Sequence, residues 1–146
     1  MVPPTGLRHL KNEFSGSLEG DLRVLVTVGE SPDEETVRWC ETHLGVRPLD
    51  GYGLTEAGMT ICNFGFDDWT VKPGSMGRPV PGVEVALLDE VGRRVEQAEV
   101  GEIAIRRGPD TLGQYWGKPD ATLDTFTGQW QRTDDLARQD EDGYFW

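Results

Sequence analysis

The apolar positions change period once along the chain. From Leu22 to Val28 the residues are apolar and β-branched, bounded by Asp21 and Gly29, which predicts a buried strand. Ser31-Pro32-Asp33-Glu34 then has the form of a helix start, with Ser31 as cap, Pro32 at the first helical position and Glu34 closing a capping box. Val37, Cys40 and Leu44 fall on one face of that helix, Glu34, Arg38 and Glu41 on others, and Gly45 ends it. Val46 to Leu49 is short and extended and leads into Asp50-Gly51-Tyr52-Gly53-Leu54-Thr55-Glu56. This part reads strand–helix–strand, an α/β unit with a loop at a strand's C-terminal end, where open parallel sheets bind ligands.

Beyond about Pro73 the period becomes two. Val83, Val85 and Leu87 alternate with Glu84, Ala86 and Leu88, and Glu90-Val91-Gly92 turns the chain. Ile103 and Ile105 alternate with Glu102, Ala104 and Arg106, so these are expected to be antiparallel strands with one wet face. Pro119 to about Phe126 has the form of a short helix, and Asp140 to Trp146 that of a turn entering a strand. The division expected is an α/β part over 1–72 and a β-rich part over 73–146.

Composition narrows the partners. The 146 residues make one domain's worth of chain, and 26 Asp and Glu against 14 Lys and Arg give a net charge of -12. That balance argues against nucleic acid and anionic membrane, both of which attract positive charge. Five Trp, five Phe and three Tyr argue against a disordered acidic tail. No apolar run approaches the ~18 residues of a membrane span, and Met1 to Gly6 lacks the pattern of a signal peptide. Cys40 and Cys62 form no CxxC, which fits a reduced cytoplasm. Among the basic residues only Lys11, Lys72 and Lys118 are lysine; an acidic, lysine-poor surface suits a cytoplasm of high salt, the alternative being an ordinary acidic protein.

Most familiar chemistry is missing. Gly51-Tyr52-Gly53 continues into Gly58 too late for a dinucleotide fingerprint, and no GxxxxGK[ST] or GxSxG occurs. Asp140, Asp142 and Gly143 are spaced like part of a calcium loop, but Arg138 stands where the first ligand belongs, so the match is accidental. His9 and His43 are isolated, so hydrolytic triads and zinc catalysis are poorly supported. What remains is the loop over 50–56, which reads equally as a Gly-rich turn with a capping Thr55 or as a ligand site offering an acceptor, a stacking ring, flexible backbone, a hydroxyl and a carboxylate suited to a metal.

Spaced around that loop are further segments that resemble one family. Tyr52-Gly53-Leu54-Thr55-Glu56 resembles the YGxTE signature of the AMP-forming, adenylating acyl-CoA synthetases. Val28-Gly29-Glu30-Ser31 resembles the turn that family lays against adenine, and Pro73 to Gly82 its PGSxGxPxPG loop. Gly101 to Arg106 is similar to its GEIxIR strand, Tyr115 to Pro119 to YWxxP, Trp130 to Leu136 to WxRTGDL, and Asp142 to Trp146 to the DGYFW lead-in to the hinge. Pro3-Pro4-Thr5 to Leu10 is similar to a PPTxxRxL helix start.

The resemblance implies a fragment of a large N-terminal α/β domain whose parent activates a carboxylic acid with ATP to acyl-AMP and passes it to coenzyme A, as in fatty acid metabolism. It places Gly29 and Glu30 beside adenine, Asp50 on the adenine amino group, Gly51 and Tyr52 along the purine, Thr55 on the α-phosphate, Glu56 on Mg²⁺ and Asp135 on the ribose hydroxyls. Thr55 and Glu56 are thereby the catalytic candidates. Gly53 stands where acetate-specific members carry a bulky aromatic, so a medium-chain, branched or aryl acid is expected. Asp134 replaces the family's glycine. The family's phosphate loop would precede Met1, and its hinge and C-terminal domain would follow Trp146. The chain alone is therefore expected to be inactive, either complemented by fragments from adjacent reading frames or a non-catalytic remnant with weak nucleotide binding.

Overall fold

The computed structural model describes residues 1–16, 18–65, 69–109 and 111–146. Eleven elements follow in order: α1 (Pro4–Glu13), β1 (Leu25–Val28), α2 (Glu34–His43), β2 (Pro48–Leu54), β3 (Gly58–Cys62), β4 (Arg78–Pro79), β5 (Val85–Leu88), β6 (Val100–Arg106), α3 (Pro119–Asp124), β7 (Phe126–Thr127) and β8 (Trp130–Arg138).

The strand–helix–strand unit forms, with β1 and β2 parallel and Thr27 opposite Asp50. Strand β2, however, runs on to Leu54 because β3 pairs with it, so most of the stretch expected as a loop over 50–56 is strand. The helix start differs from the expected one. Asp33, not Ser31, caps α2: its Oδ1 accepts from the Thr36 N–H at 2.8 Å and its Oδ2 from the Thr36 hydroxyl at 2.8 Å. Asp33 wins because its side chain reaches the third helical residue, which frees the Ser31 hydroxyl for another partner. Gly45, at φ 72, ends the helix in the left-handed conformation that glycine adopts without strain. Helices α1 and α2 cover one face of this sheet through Leu7, Leu25, Cys40 and Leu44, with Phe14 and Trp39 packed alongside.

Strand β2 turns back into β3, which pairs with β4, so the first sheet runs β1-β2-β3-β4 and draws Arg78 and Pro79 from beyond residue 73. The second sheet is antiparallel, in the order β5-β6-β8-β7. It departs from the expectation of one wet face. Leu87, Ile103 and Ala137 pack with Ile61 of the first sheet and with Phe145, while Ala86, Leu88, Ala104 and Trp130 form a second cluster. Small alanines hide this second face from a hydrophobicity pattern, and Trp130, from β8, closes it.

Residues 144–146 bind both sheets. The Phe145 N–H donates to the Gly77 carbonyl at 2.8 Å, its carbonyl accepts from the Met76 N–H at 2.9 Å, and Trp146 exchanges two bonds with Arg138. Gly77 tolerates no side chain, since a Cβ there would lie 2.1 Å from the Cys62 backbone.

Candidate functional site

Two irregularities in strand pairing aim the site. In the second sheet Glu102 faces Leu136 but Ala104 faces Arg132, so Thr133, Asp134 and Asp135 are looped out of the ladder. Such a bulge re-aims side chains, and here it delivers Asp135 to the junction of two cavities. Asp134 sits at φ 63, where an aspartate is tolerated at a cost that glycine avoids.

Glu102 braces the bulge. Its carboxylate accepts from the N–H groups of Thr133 at 3.1 Å and Asp134 at 3.0 Å, and from the Arg132 guanidinium. Burial opposes ionisation of Glu102, but Arg132 and the two backbone donors outweigh it and hold the carboxyl below its ordinary range.

The other irregularity lies between Tyr52 and Gly53, where β2 slips against β3. The Tyr52 hydroxyl donates to Asp135 Oδ2 at 2.6 Å, tying the two sheets together. Burial, helped by the Asp135 carboxylate, pushes the phenol up from its ordinary value. Asp50 is buried on the same strand and accepts from Ser31 Oγ at 2.7 Å, Gly51 N–H at 3.1 Å and Thr27 Oγ1 at 3.3 Å. Burial raises its carboxyl, against the pull of those three donors.

Gly29, Glu30, Asp50, Gly51, Tyr52, Gly53 and Asp135 line one cavity of about 340 Å³, with Ser31, Met76, Ile103 and Leu136. Gly29 turns the chain there at φ 95. The Glu30 carboxylate is engaged with α1 instead, accepting from the Thr5 N–H at 3.1 Å and from Arg8 at 2.8 Å. Gly53 has a packing reason to be glycine, because a Cβ would lie 2.4 Å from the Gly58 carbonyl oxygen. Strand pairing thus restricts this position whatever ligand lies beside it.

A second cavity of about 640 Å³ is lined by Leu54, Glu56, Tyr115, Lys118, Gln131, Arg132 and Asp135, among others. The Tyr115 hydroxyl donates to Glu56 Oε1 at 3.2 Å, leaving Glu56 Oε2 for another partner. Thr55 is exposed in the turn between β2 and β3, beside both cavity-lining neighbours but outside either lining. Among the described residues no group of three or more His, Cys, Asp or Glu is arranged for a metal. A single carboxylate such as Glu56 still fits Mg²⁺ that arrives on phosphate, because that ion takes most ligands from phosphate oxygens and water.

The sequence profile of the AMP-binding enzyme family matches residues 1–116. The chain belongs to the AMP-binding enzyme family. Its similarity to acetyl-coenzyme A synthetase of Bacillus subtilis is 38% identity over 128 residues, 86% of this chain and 22% of that protein. Among solved structures, an acyl-CoA synthetase from Brucella canis superposes with a TM-score of 0.85 at 33% identity, over 98% of this chain and 27% of the other. The anthranilate CoA ligase AuaEII, solved in complex with anthranoyl-AMP, superposes at 0.83 and 31% identity, over 99% of this chain and 28% of the other. The mixed α/β fold is thus that of adenylating CoA ligases, and the chain spans about a quarter of the length of the curated relatives it matches.

For a member of the AMP-binding enzyme family, several supporting residues escape a reading of the sequence. Ser31 was legible only as a helix cap, and its bond to Asp50 is nonlocal. Thr27 looks like any strand residue. Glu102 sits in the GEIxIR segment, but nothing local says that its carboxylate braces residues thirty positions away. Tyr115 gives no signal beyond its place in the YWxxP segment.

Proposed function

We propose that this chain carries the adenosine-binding part, and the magnesium-binding carboxylate, of an adenylate-forming acid–coenzyme A ligase. In that reaction a substrate carboxylate oxygen bonds to the α-phosphorus of ATP as the bond to pyrophosphate breaks. The thiol of coenzyme A then attacks the acyl carbon and AMP leaves. The observation supporting this reading is that Gly29, Glu30, Asp50, Tyr52 and Asp135, spread over the chain, line one cavity, which shares Asp135 with a second cavity holding Glu56. In this reading the Gly29–Glu30 backbone and Gly51 flank adenine, Asp50 accepts from its amino group, and Tyr52 packs on its face. Asp135 takes the ribose hydroxyls, Thr55 an α-phosphate oxygen and Glu56 the Mg²⁺. The acid is medium-chain, branched or aryl, as in fatty acid metabolism, with Gly53 beside it. Nucleic acid and membrane are not partners, and the acidic, lysine-poor surface belongs to a salt-rich cytoplasm.

By itself the chain binds nucleotide and does not make acyl-AMP, because residues 1–146 include no Ser/Thr/Gly-rich phosphate loop. Residues outside 1–146 would supply it, in the same polypeptide or in a complementing one. The test is calorimetric or NMR titration of the purified chain with AMP and ATP, beside a pyrophosphate-release assay with a panel of acids. AMP and ATP are expected to bind alike, near millimolar, about 4 kcal/mol, with no pyrophosphate above background. Much tighter binding of ATP, or pyrophosphate release abolished by Glu56→Ala, overturns this account.

A further inference from the structure

Three protein donors converge on the carboxylate of Asp50. The Thr27 hydroxyl on β1 and the Gly51 N–H both donate to Oδ1, and the Ser31 hydroxyl donates to Oδ2 at 2.7 Å. An ionised carboxylate offers about four lone-pair sites, so this arrangement fills Oδ1 and leaves one site on Oδ2. Asp50 is 8% exposed and Thr27 fully buried, so water does little of the work of fixing this group.

We infer that Ser31 and Thr27 are positioning residues whose hydroxyls fix Asp50 as a pure acceptor with one open lone pair, and so make the cavity select 6-amino over 6-oxo purines. The inference rests on the adenosine reading above and adds to it the groups that set base choice. The exocyclic 6-amino group donates to the open lone pair. A 6-oxo group meets it acceptor to acceptor, leaving two polar groups desolvated and unpaired.

Selectivity of this kind lasts only while Asp50 stays ionised. Burial favours its neutral form and the three donors oppose that. Removing a hydroxyl therefore raises the pH at which Asp50 takes a proton, and a protonated Asp50 can donate to a 6-oxo group. The ionisable groups around it are Glu30 in the loop after β1, Tyr52 on β2, Cys62 on β3, Asp135 at the bulge, and Arg47 at a small cavity of about 40 Å³ behind it. Helix α2 presents Val37 to that small cavity.

The test uses the whole chain, with AMP and IMP as probes, from about pH 8 to about pH 4 to bracket the carboxylate range. Carbon-13 NMR of the Asp50 carboxyl follows its titration without any ligand. Ser31→Ala and Thr27→Val are expected to shift that titration upward and to cut the AMP-to-IMP preference roughly ten-fold, the size of one lost charge-assisted hydrogen bond. The acid limb of AMP binding should move upward with the carboxyl signal, and Thr27→Ser should restore both. Ser31 is exposed at its position, so Ser31→Ala keeps the fold, which circular dichroism checks. An unmoved carboxyl titration, or an unchanged AMP-to-IMP preference in both variants, overturns the inference. If the carboxyl titration shifts but AMP does not bind even the unaltered chain, the adenosine reading fails and takes the base selectivity with it, while the orientation of Asp50 stands.

Discussion

Asp134 stands where the WxRTGDL segment that this stretch resembles has glycine, and its backbone shows the cost. At φ 63 an L-residue is strained where glycine is not, and Asp134 adds negative charge to a cavity that already holds Glu56, Asp124 and Asp135. Asp134→Gly is expected to stabilise the chain by up to about 1 kcal/mol, read as a higher urea midpoint with unchanged slope. A lower midpoint would mean that the aspartate side chain makes a compensating contact. Lys72 sets a different local balance, bridging Asp140 at 2.8 Å and Asp142 at 2.6 Å with its ammonium 4.6 Å from the Tyr144 ring. Burial alone would raise Asp140, but Lys72 and the Tyr144 N–H hold it down at about 2. A depressed carboxyl stabilises the fold above its unfolded value, near 3.8, and that contribution fades as pH falls toward 2. Carboxyl NMR should therefore find Asp140 ionised at pH 3, and Lys72→Met should bring its titration back toward the ordinary range; no movement would remove Lys72 as the cause.

Among the elements, the bulge in β8 does most to make the site. It depends on Glu102, whose removal leaves Arg132 and two N–H groups without their acceptor. Glu102→Ala is expected to cost about 1.5–3 kcal/mol, the range for hydrogen bonds to a charged group, and to weaken AMP binding by letting Asp135 swing. Thermal unfolding and titration with AMP report the two effects; an unchanged affinity would mean that Asp135 is held by Tyr52 alone. This element also marks the limit of what the chain shows before folding. The β1-α2-β2 unit was legible because β-branched runs, helical spacing and Gly45 act locally. The bulge was not, because Thr133 to Asp135 leave the ladder through contacts with Glu102 and Tyr52, far away in sequence. Motif resemblance still singled out Asp50, Tyr52 and Asp135, and the structure brings these three to one cavity; it leaves Thr55 outside both linings and requires glycine at Gly53 for strand pairing.

For the molecule as a whole, charge sets the terms. Exposed pairs such as Arg38–Glu34, with side chains 65% and 82% accessible, contribute at most about 1 kcal/mol and weaken in salt. Repulsion from the net charge of -12 acts across the whole surface and weakens as well. On the salt-rich reading repulsion outweighs the pairs, so potassium chloride should raise the melting temperature as the screening length falls from about 30 Å at 0.01 M to about 3 Å at 1 M. Equal melting temperatures at those limits would sink the assignment to a salt-rich cytoplasm.

The stitching of residues 144–146 into both sheets also has a consequence in time. Lys72 meets Asp140 across 68 positions and Tyr52 meets Asp135 across 83, so the first sheet and the cavity lined by Asp50, Tyr52 and Asp135 close through contacts distant along the chain. Such contact order slows folding, since the entropy of closing a long loop is lost before any packing repays it. During synthesis the β1-α2-β2 unit can form on its own local pattern, while the Met76–Gly77 edge waits for Phe145 to leave the ribosome.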